Sequence, residues 1–152
     1  MSKVEKFEDL KVWQDGLSLS ILVYDMLSGC KDFGIKDQMC RASVSVPSNI
    51  AEGFERHSNK EFIRFLRIAK GSSGELRTQI YIAIGIGLVT SEKGNELISK
   101  SRLLSAMIQN LIKQGNQTSN ILSQESQLTQ RSSFPFLPIV PFSPFNPFSP
   151  FI

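Results

Sequence analysis

DQMCRASVSVPSNIAEGFERHSNKEFIRFLRIAKGSSGELRTQI, running from Asp37 to Ile80, decides the fold. It contains two helical patterns joined by a short turn. Gly53 closes the first apolar run, and Ser58-Asn59-Lys60-Glu61 then supplies a capping box: the Ser58 side chain accepts from the Glu61 amide, and the Glu61 carboxylate accepts from the Ser58 amide. Pro47 stands inside the first pattern, just after Ala42-Ser43-Val44-Ser45-Val46. Having no N–H, it leaves the Ser43 carbonyl without its helical donor, which predicts a kinked helix.

The second pattern begins at Asn59 and places Phe62, Leu66, Ala69, Ser73, Leu76, Ile80 and Ile84 on one stripe. Gly71 and Gly74 each cost about 1 kcal/mol relative to alanine in a helix interior, so they are expected where another backbone comes near. From Ile80 to Val89 the text IYIAIGIGLV is apolar on every side; taken alone it also suits a strand. The stripe continues in register through Ile80, Ile84 and Gly87 with no turn signal, which predicts helix throughout. An apolar helix end needs cover, and Tyr81, Ile82, Ile86 and Val89 form a candidate oligomer interface.

Outward from this pair, a first helix is predicted from Phe7–Asp9 to about Leu27, with Leu10, Trp13, Leu17, Ser20, Tyr24 and Leu27 as its buried stripe. Trp13 and Tyr24 at that spacing are read as core and not as a binding box. The second helix is placed at about Ile35 to Glu52. Downstream, Thr90 or Ser91 caps a fourth helix, whose stripe is Leu97, Ser101, Leu104, Ile108 and Leu111 before Gly115 breaks it. Four amphipathic helices with short connections predict an all-α fold, an antiparallel up-and-down four-helix bundle over residues 1–115. Residues 116–133 then form a polar linker or a frayed helix extension.

Residues 134–152 are an extended Pro/Phe-rich C-terminal tail, with proline at 135, 138, 141, 144, 147 and 150. In a polyproline II helix, with three residues per turn, these prolines line one edge while Phe136, Ile139, Phe142, Phe145, Phe148 and Phe151 line another. Proline at this density excludes a transmembrane helix. The tail is either a docking arm for a protein partner or an unselected extension from a short DNA repeat.

QMCRASVSVPSNIAEGFERHS followed by EFIRFLRIAKGSSGEL, with Phe7-Glu8-Asp9-Leu10-Lys11-Val12-Trp13-Gln14 upstream, resembles the family of 23S ribosomal RNA intervening-sequence proteins over roughly residues 7 to 115. Genes of this bacterial family lie within 23S ribosomal RNA genes or elsewhere in the genome. The resemblance implies a four-helix bundle assembled into a homopentameric ring, without enzymatic activity and with an affinity for nucleic acid. Functional residues do not carry over from it. Two departures stand out: Gly74 replaces a larger apolar residue, and the chain after about residue 116 has no counterpart.

At 152 residues with a formal net charge of +3, the composition fits one domain with a hydrophobic core and permits contact with an anionic partner without requiring it. Cys30 and Cys40 are too few for a disulfide framework, and no secretory leader pattern opens the chain, so a cytoplasmic protein with reduced cysteines is expected. His57 is the lone histidine and does not complete a metal site with two cysteines on other segments. Gly71-Ser72-Ser73-Gly74 is not a nucleophile elbow, and Gly85-Ile86-Gly87 lacks the third glycine of a dinucleotide fingerprint. Glu52 and Glu55 have Arg41, Arg56 and Lys60 near them for ion pairing. No catalytic set, cofactor or metal is expected, and the chain is not read as an enzyme.

One constellation remains. Lys60, Arg64 and Arg67 share a face of the third helix, with Lys70 and Arg77 along its shoulder and Arg41 and Arg56 as extensions from the second. Gly71, Gly74 and Thr78 keep that face low. Such a row neutralises phosphates, although it also suits a solvated polar face. The expected function is a non-catalytic oligomeric bundle that binds RNA or DNA through this face. The alternative is a protein-interaction scaffold that uses the ring or the Phe-Pro tail.

Overall fold

The computed structural model describes residues 4–132, and the described residues contain helix and no strand. A 3-10 turn at Phe7–Asp9 precedes α1 (Lys11–Met26), α2 (Phe33–Glu55), α3 (Asn59–Gly85) and α4 (Ser91–Ser132). Two compact units result, Met1–Asn120 and Ile121–Ile152. The expectations for residues 134–152 lie outside the described residues. In the second unit, the end of α4 carries exposed Ile121 and Leu122, and Ser126 donates to the Ser123 carbonyl at 2.9 Å.

The first unit is a four-helix bundle whose consecutive helices run antiparallel. α1 meets α2 where Gly16 lies against Pro47 and Ser20 reaches Ser43. α2 meets α3 at Gly53 against Phe65 and at Ser45 bonded to Ser72. α3 meets α4 at Ile84 against Gly94 and at Ile63 against Gly115. The interior is filled by Leu27, Met39, Ile50, Leu66, Leu76, Ile80, Leu104 and Ile108, all fully buried. Removing that much apolar surface from water is the main stabilising contribution.

α2 continues unbroken through Pro47 because another helix replaces the missing donor. The Ser20 hydroxyl of α1 donates to the Ser43 carbonyl at 2.7 Å, with its own Gly16 carbonyl at 3.1 Å as a weaker second acceptor. The polar residue in the α1 stripe is thus matched to the proline of α2. The rest of that stripe differs from the sequence expectation. Leu17 and Tyr24 are 40% and 51% exposed, and the buried face is Val12, Gly16, Leu19, Ser20, Val23 and Leu27. The buried face is thus turned from the expected stripe toward Gly16, Leu19 and Val23, with Gly16 packed against Pro47 of α2 and Tyr24 at its edge, hydrogen-bonded to Cys40.

Three helix ends also differ from expectation. Gly53 does not stop α2, which continues to Glu55; a Cβ on it would stand 2.5 Å from the Phe65 Cβ, so this glycine marks close helix approach. α3 does not reach Val89 but ends at Gly85 in a Schellman motif. Gly87 takes φ +75, Leu88 donates to the Ala83 carbonyl at 2.9 Å and Gly87 to that of Ile84 at 3.1 Å. Gly115 does not break α4 either. It sits where an added Cβ would meet Ile63 at 2.9 Å, and its carbonyl accepts from Asn59 at 2.9 Å.

The helix starts follow the sequence more closely. Ser58 caps α3 by accepting from the Glu61 amide at 3.4 Å, while the Glu61 carboxylate turns to Arg64 at 3.4 Å, so half of the capping box forms. Thr90 caps α4, its hydroxyl accepting from the Lys93 amide at 3.4 Å. The α3 stripe is as expected, with Leu66, Ala69, Ser73, Leu76 and Ile80 fully buried.

Candidate nucleic-acid interface

The α3 stripe that enters the core fixes what its opposite face presents. Because Leu66, Ala69, Ser73, Leu76 and Ile80 point inward, Lys60, Arg64, Arg67, Gly71 and Thr78 point to solvent. The cations on this face are not equivalent. Arg64 pairs with Glu61, and Arg56, at the C-cap of α2, pairs with Glu52 at 2.7 Å. Both guanidinium groups also lie over the buried Phe65 ring, at 5.5 Å for Arg56 and 5.8 Å for Arg64. The ring therefore gathers the basic ends of two helices into one cluster.

Lys60 and Arg67 are exposed and make no ion pair, hydrogen bond or ring contact with any described residue. Arg67 borders a groove between α3 and α4 that is also lined by Lys70, Gly71, Gln109, Ile112 and Asn116. Lys70 donates to the Gln109 side-chain oxygen, which leaves the Gln109 amide NH₂ as its remaining polar group. Nothing lies within 4 Å of where a Gly71 Cβ would be. No neighbouring backbone of this chain comes near Gly71, contrary to the sequence expectation; the glycine instead leaves the groove floor open. The groove offers donors and a positive charge on a shallow base, which suits a phosphate backbone.

The other two members of the row stand apart. Arg41 lies on the outward face of α2, paired with Asp37 at 3.0 Å, and no contact joins it to the α3 cations. Arg77 is half-buried and turned into α4, where its Nη1 donates to Ser105 Oγ at 2.8 Å and to Ser101 Oγ at 3.2 Å. Sequence reasoning missed Gln109, Asn116 and Ser105, and it placed Ser101 on the buried α4 stripe without its bond to Arg77. They carry no motif, and only the α3–α4 register places them beside the row.

Of the candidate oligomer surface, Tyr81, Ile82 and Ile86 are exposed, with the Tyr81 hydroxyl accepting from Arg102 at 2.8 Å. Val89 does not belong with them. It is only 8% exposed, because the Schellman turn folds it back into the core of its own chain.

The family described as 23S rRNA-intervening sequence protein matches residues 8–110. The chain belongs to this family. The matched span takes in α1 to α3 and the α4 residues that line the groove as far as Gln109. A crystal structure of a protein of unknown function from the S23 ribosomal protein family of Bacteroides thetaiotaomicron VPI-5482 is similar in fold, with a TM-score of 0.64 and 24% identity. The similarity covers 67% of this chain and 98% of that one. Comparison with curated proteins gives no match.

Burial pushes the Cys40 thiol up, opposed in part by a hydrogen bond with Tyr24 and by Lys36, so it remains a protonated thiol at neutral pH. Among the described residues no three of His, Cys, Asp and Glu converge as a metal site, and no described helix is long and apolar enough to cross a membrane.

Proposed function

We propose that this intervening-sequence protein is a non-catalytic cytoplasmic nucleic-acid-binding protein that contacts the phosphates of RNA or DNA through the exposed face of α3 and the α3–α4 groove. The observation that carries this reading is the unpaired Arg67 at a donor-lined groove, with unpaired Lys60 at the start of the same face. Arg56 and Arg64, gathered over Phe65, extend the positive surface at that end. Contacts of this kind position a backbone and do not discriminate bases, so binding tolerates sequence change and weakens with salt.

Fluorescence anisotropy with duplex DNA and a structured RNA across a salt series tests the reading. Lys60→Ala/Arg67→Ala is expected to lower affinity at least about tenfold and, on duplex DNA, to reduce the salt slope by about 0.9 for each phosphate no longer neutralised. Arg41→Ala, which removes an ion-paired cation away from the row, is expected to change neither. Absence of binding by the wild type at low salt overturns the proposal.

A few cations per subunit give modest affinity, and the proposal includes a homo-oligomer in which several copies engage one strand. Exposed Tyr81, Ile82 and Ile86 supply the apolar surface for it, and such a patch is seldom left in water. Light scattering at micromolar concentration is expected to show several subunits for the wild type and a smaller species for Ile82→Asp/Ile86→Asp. A monomeric wild type would sink the oligomer.

A further inference from the structure

We propose that Arg77 is a pre-oriented receptor for one phosphate oxyanion, supplied by a phosphodiester of the nucleic acid bound along α3; the identity of that donor rests on the function proposed above. Three hydroxyls meet in the α3–α4 contact. Ser73 and Ser101 are fully buried and Ser105 nearly so. Ser73 Oγ and Ser101 Oγ are 2.7 Å apart, Ser105 Oγ donates to Ser73 Oγ at 3.0 Å, and Ser101 Oγ to the Ser73 carbonyl at 3.2 Å. Arg77 Nη1 faces this cluster and meets Ser105 Oγ, Ser101 Oγ, the Ser101 carbonyl and Ser73 Oγ between 2.8 and 3.4 Å.

All of these partners are neutral. No described carboxylate pairs with Arg77, so its charge is held in place without being compensated. The remaining donors, Nε and Nη2, have no hydrogen-bond partner among the described residues, yet they are not among the buried unsatisfied atoms. They therefore reach solvent. On a guanidinium these two N–H groups lie along one edge and point the same way, which matches two oxygens of a single phosphate. Gly74, one turn earlier on α3, leaves this edge uncovered: its would-be Cβ lies 3.8 Å from Nη2 and near nothing else.

Two consequences separate this site from the other cations. Arg77 is immobilised on folding, so it loses little side-chain freedom on binding, unlike exposed Lys60 and Arg67. It also lies two turns beyond Lys70 on the shoulder of α3, about 10 Å along the axis, so it extends the groove in one direction. Lysine at this position would keep the charge and lose the two-donor edge.

The test has two arms on the full chain. In the first, anisotropy with duplex DNA across a salt series compares wild type with Arg77→Lys and Arg77→Ala, each checked for wild-type thermal unfolding. Arg77→Lys is expected to weaken binding about tenfold with the salt slope unchanged, because a directional pair of bonds is removed and no charge is. Arg77→Ala is expected to weaken it further and to reduce the slope by about 0.9. In the second arm, inorganic phosphate is titrated at constant ionic strength into wild-type protein while the backbone-assigned Arg77 Nε–H resonance is followed by NMR. A saturable shift, absent with chloride, supports the site and needs no variant. If Arg77→Lys binds like wild type, or phosphate leaves the resonance in place, the site is overturned while the nucleic-acid reading stands. If phosphate moves the resonance but no nucleic acid binds at low salt, the site holds and its phosphodiester donor is wrong.

Discussion

Gly53→Ala is expected to lower stability by about 2 kcal/mol or more, whereas Gly94→Ala is expected to change it by less than about 1 kcal/mol. Both would place a Cβ 2.5 Å from a neighbour, and the difference lies in what that neighbour is. At Gly53 it is the Phe65 Cβ, fixed to the α3 backbone, with further Phe65 and Phe62 atoms at 3.2 and 3.3 Å. α2 and α3 must separate to admit the methyl, and the buried surface around Ile50 and Leu66 loosens with them. At Gly94 the nearest atom is the Ile84 Cδ1, the tip of a half-buried side chain that rotation about χ2 can turn aside, with Ile84 Cγ1 at 2.6 Å and Ile80 Cγ2 at 3.4 Å left to yield by a small shift. Alanine also gains about 1 kcal/mol of helix propensity at either position, which offsets the smaller clash and not the larger. Urea unfolding of the two variants checks this; equal losses would mean that the α2–α3 spacing is adjustable and Gly53 is not its limit.

Ser20→Ala is expected to cost about 1–3 kcal/mol, the penalty for leaving a buried carbonyl without a donor. Most buried serines in a helix can bond their own backbone and are replaced at little cost. Ser20 differs because Pro47 has removed the only intrahelical donor for the Ser43 carbonyl. The dependence is testable through a double-mutant cycle. In a Pro47→Ala background the residue at 47 again donates to Ser43, and Ser20→Ala should then cost appreciably less. The packing that the proline ring makes against Gly16 is present in both proteins of one arm and missing from both of the other, so it cancels within each. Additive losses would show that the 2.7 Å bond contributes nothing and that Ser20 only fills space in the α1–α2 contact.

How far the sequence revealed this arrangement depends on the element. The α3 stripe was legible because Leu66, Ala69, Leu76 and Ile80 fall on one face with charged residues opposite, leaving no second choice. α1 offered two overlapping stripes. Periodicity could not decide between them, and the larger side chains of Leu17 and Tyr24 drew the choice away from Gly16, Leu19 and Val23, although Ser20 and Leu27 were placed correctly. Gly53 and Gly115 resembled helix stops because a glycine at a close crossing and one at a helix end look alike until the neighbouring helix is placed. Gly87, the glycine that does end a helix, was hidden in an isoleucine run. For the candidate site the charges were legible and their partners were not. That Arg67 stands unpaired while Arg77 is held by Ser101 and Ser105 depends on how α3 and α4 align, which no local pattern encodes.

Gly94 and Gly115 lie about six turns apart on α4, each seated against an isoleucine of α3. Two such notches act as a gauge of chain length between them. Inserting or deleting one residue in that interval would rotate one notch by about 100° away from its isoleucine while the other stayed engaged, and no sliding of α4 could satisfy both. Length variation in natural or engineered relatives that keep both glycines should therefore be absent from this interval, with insertions accommodated in the 86–90 turn or after Ser119, beyond the last hydrogen bond from Asn59.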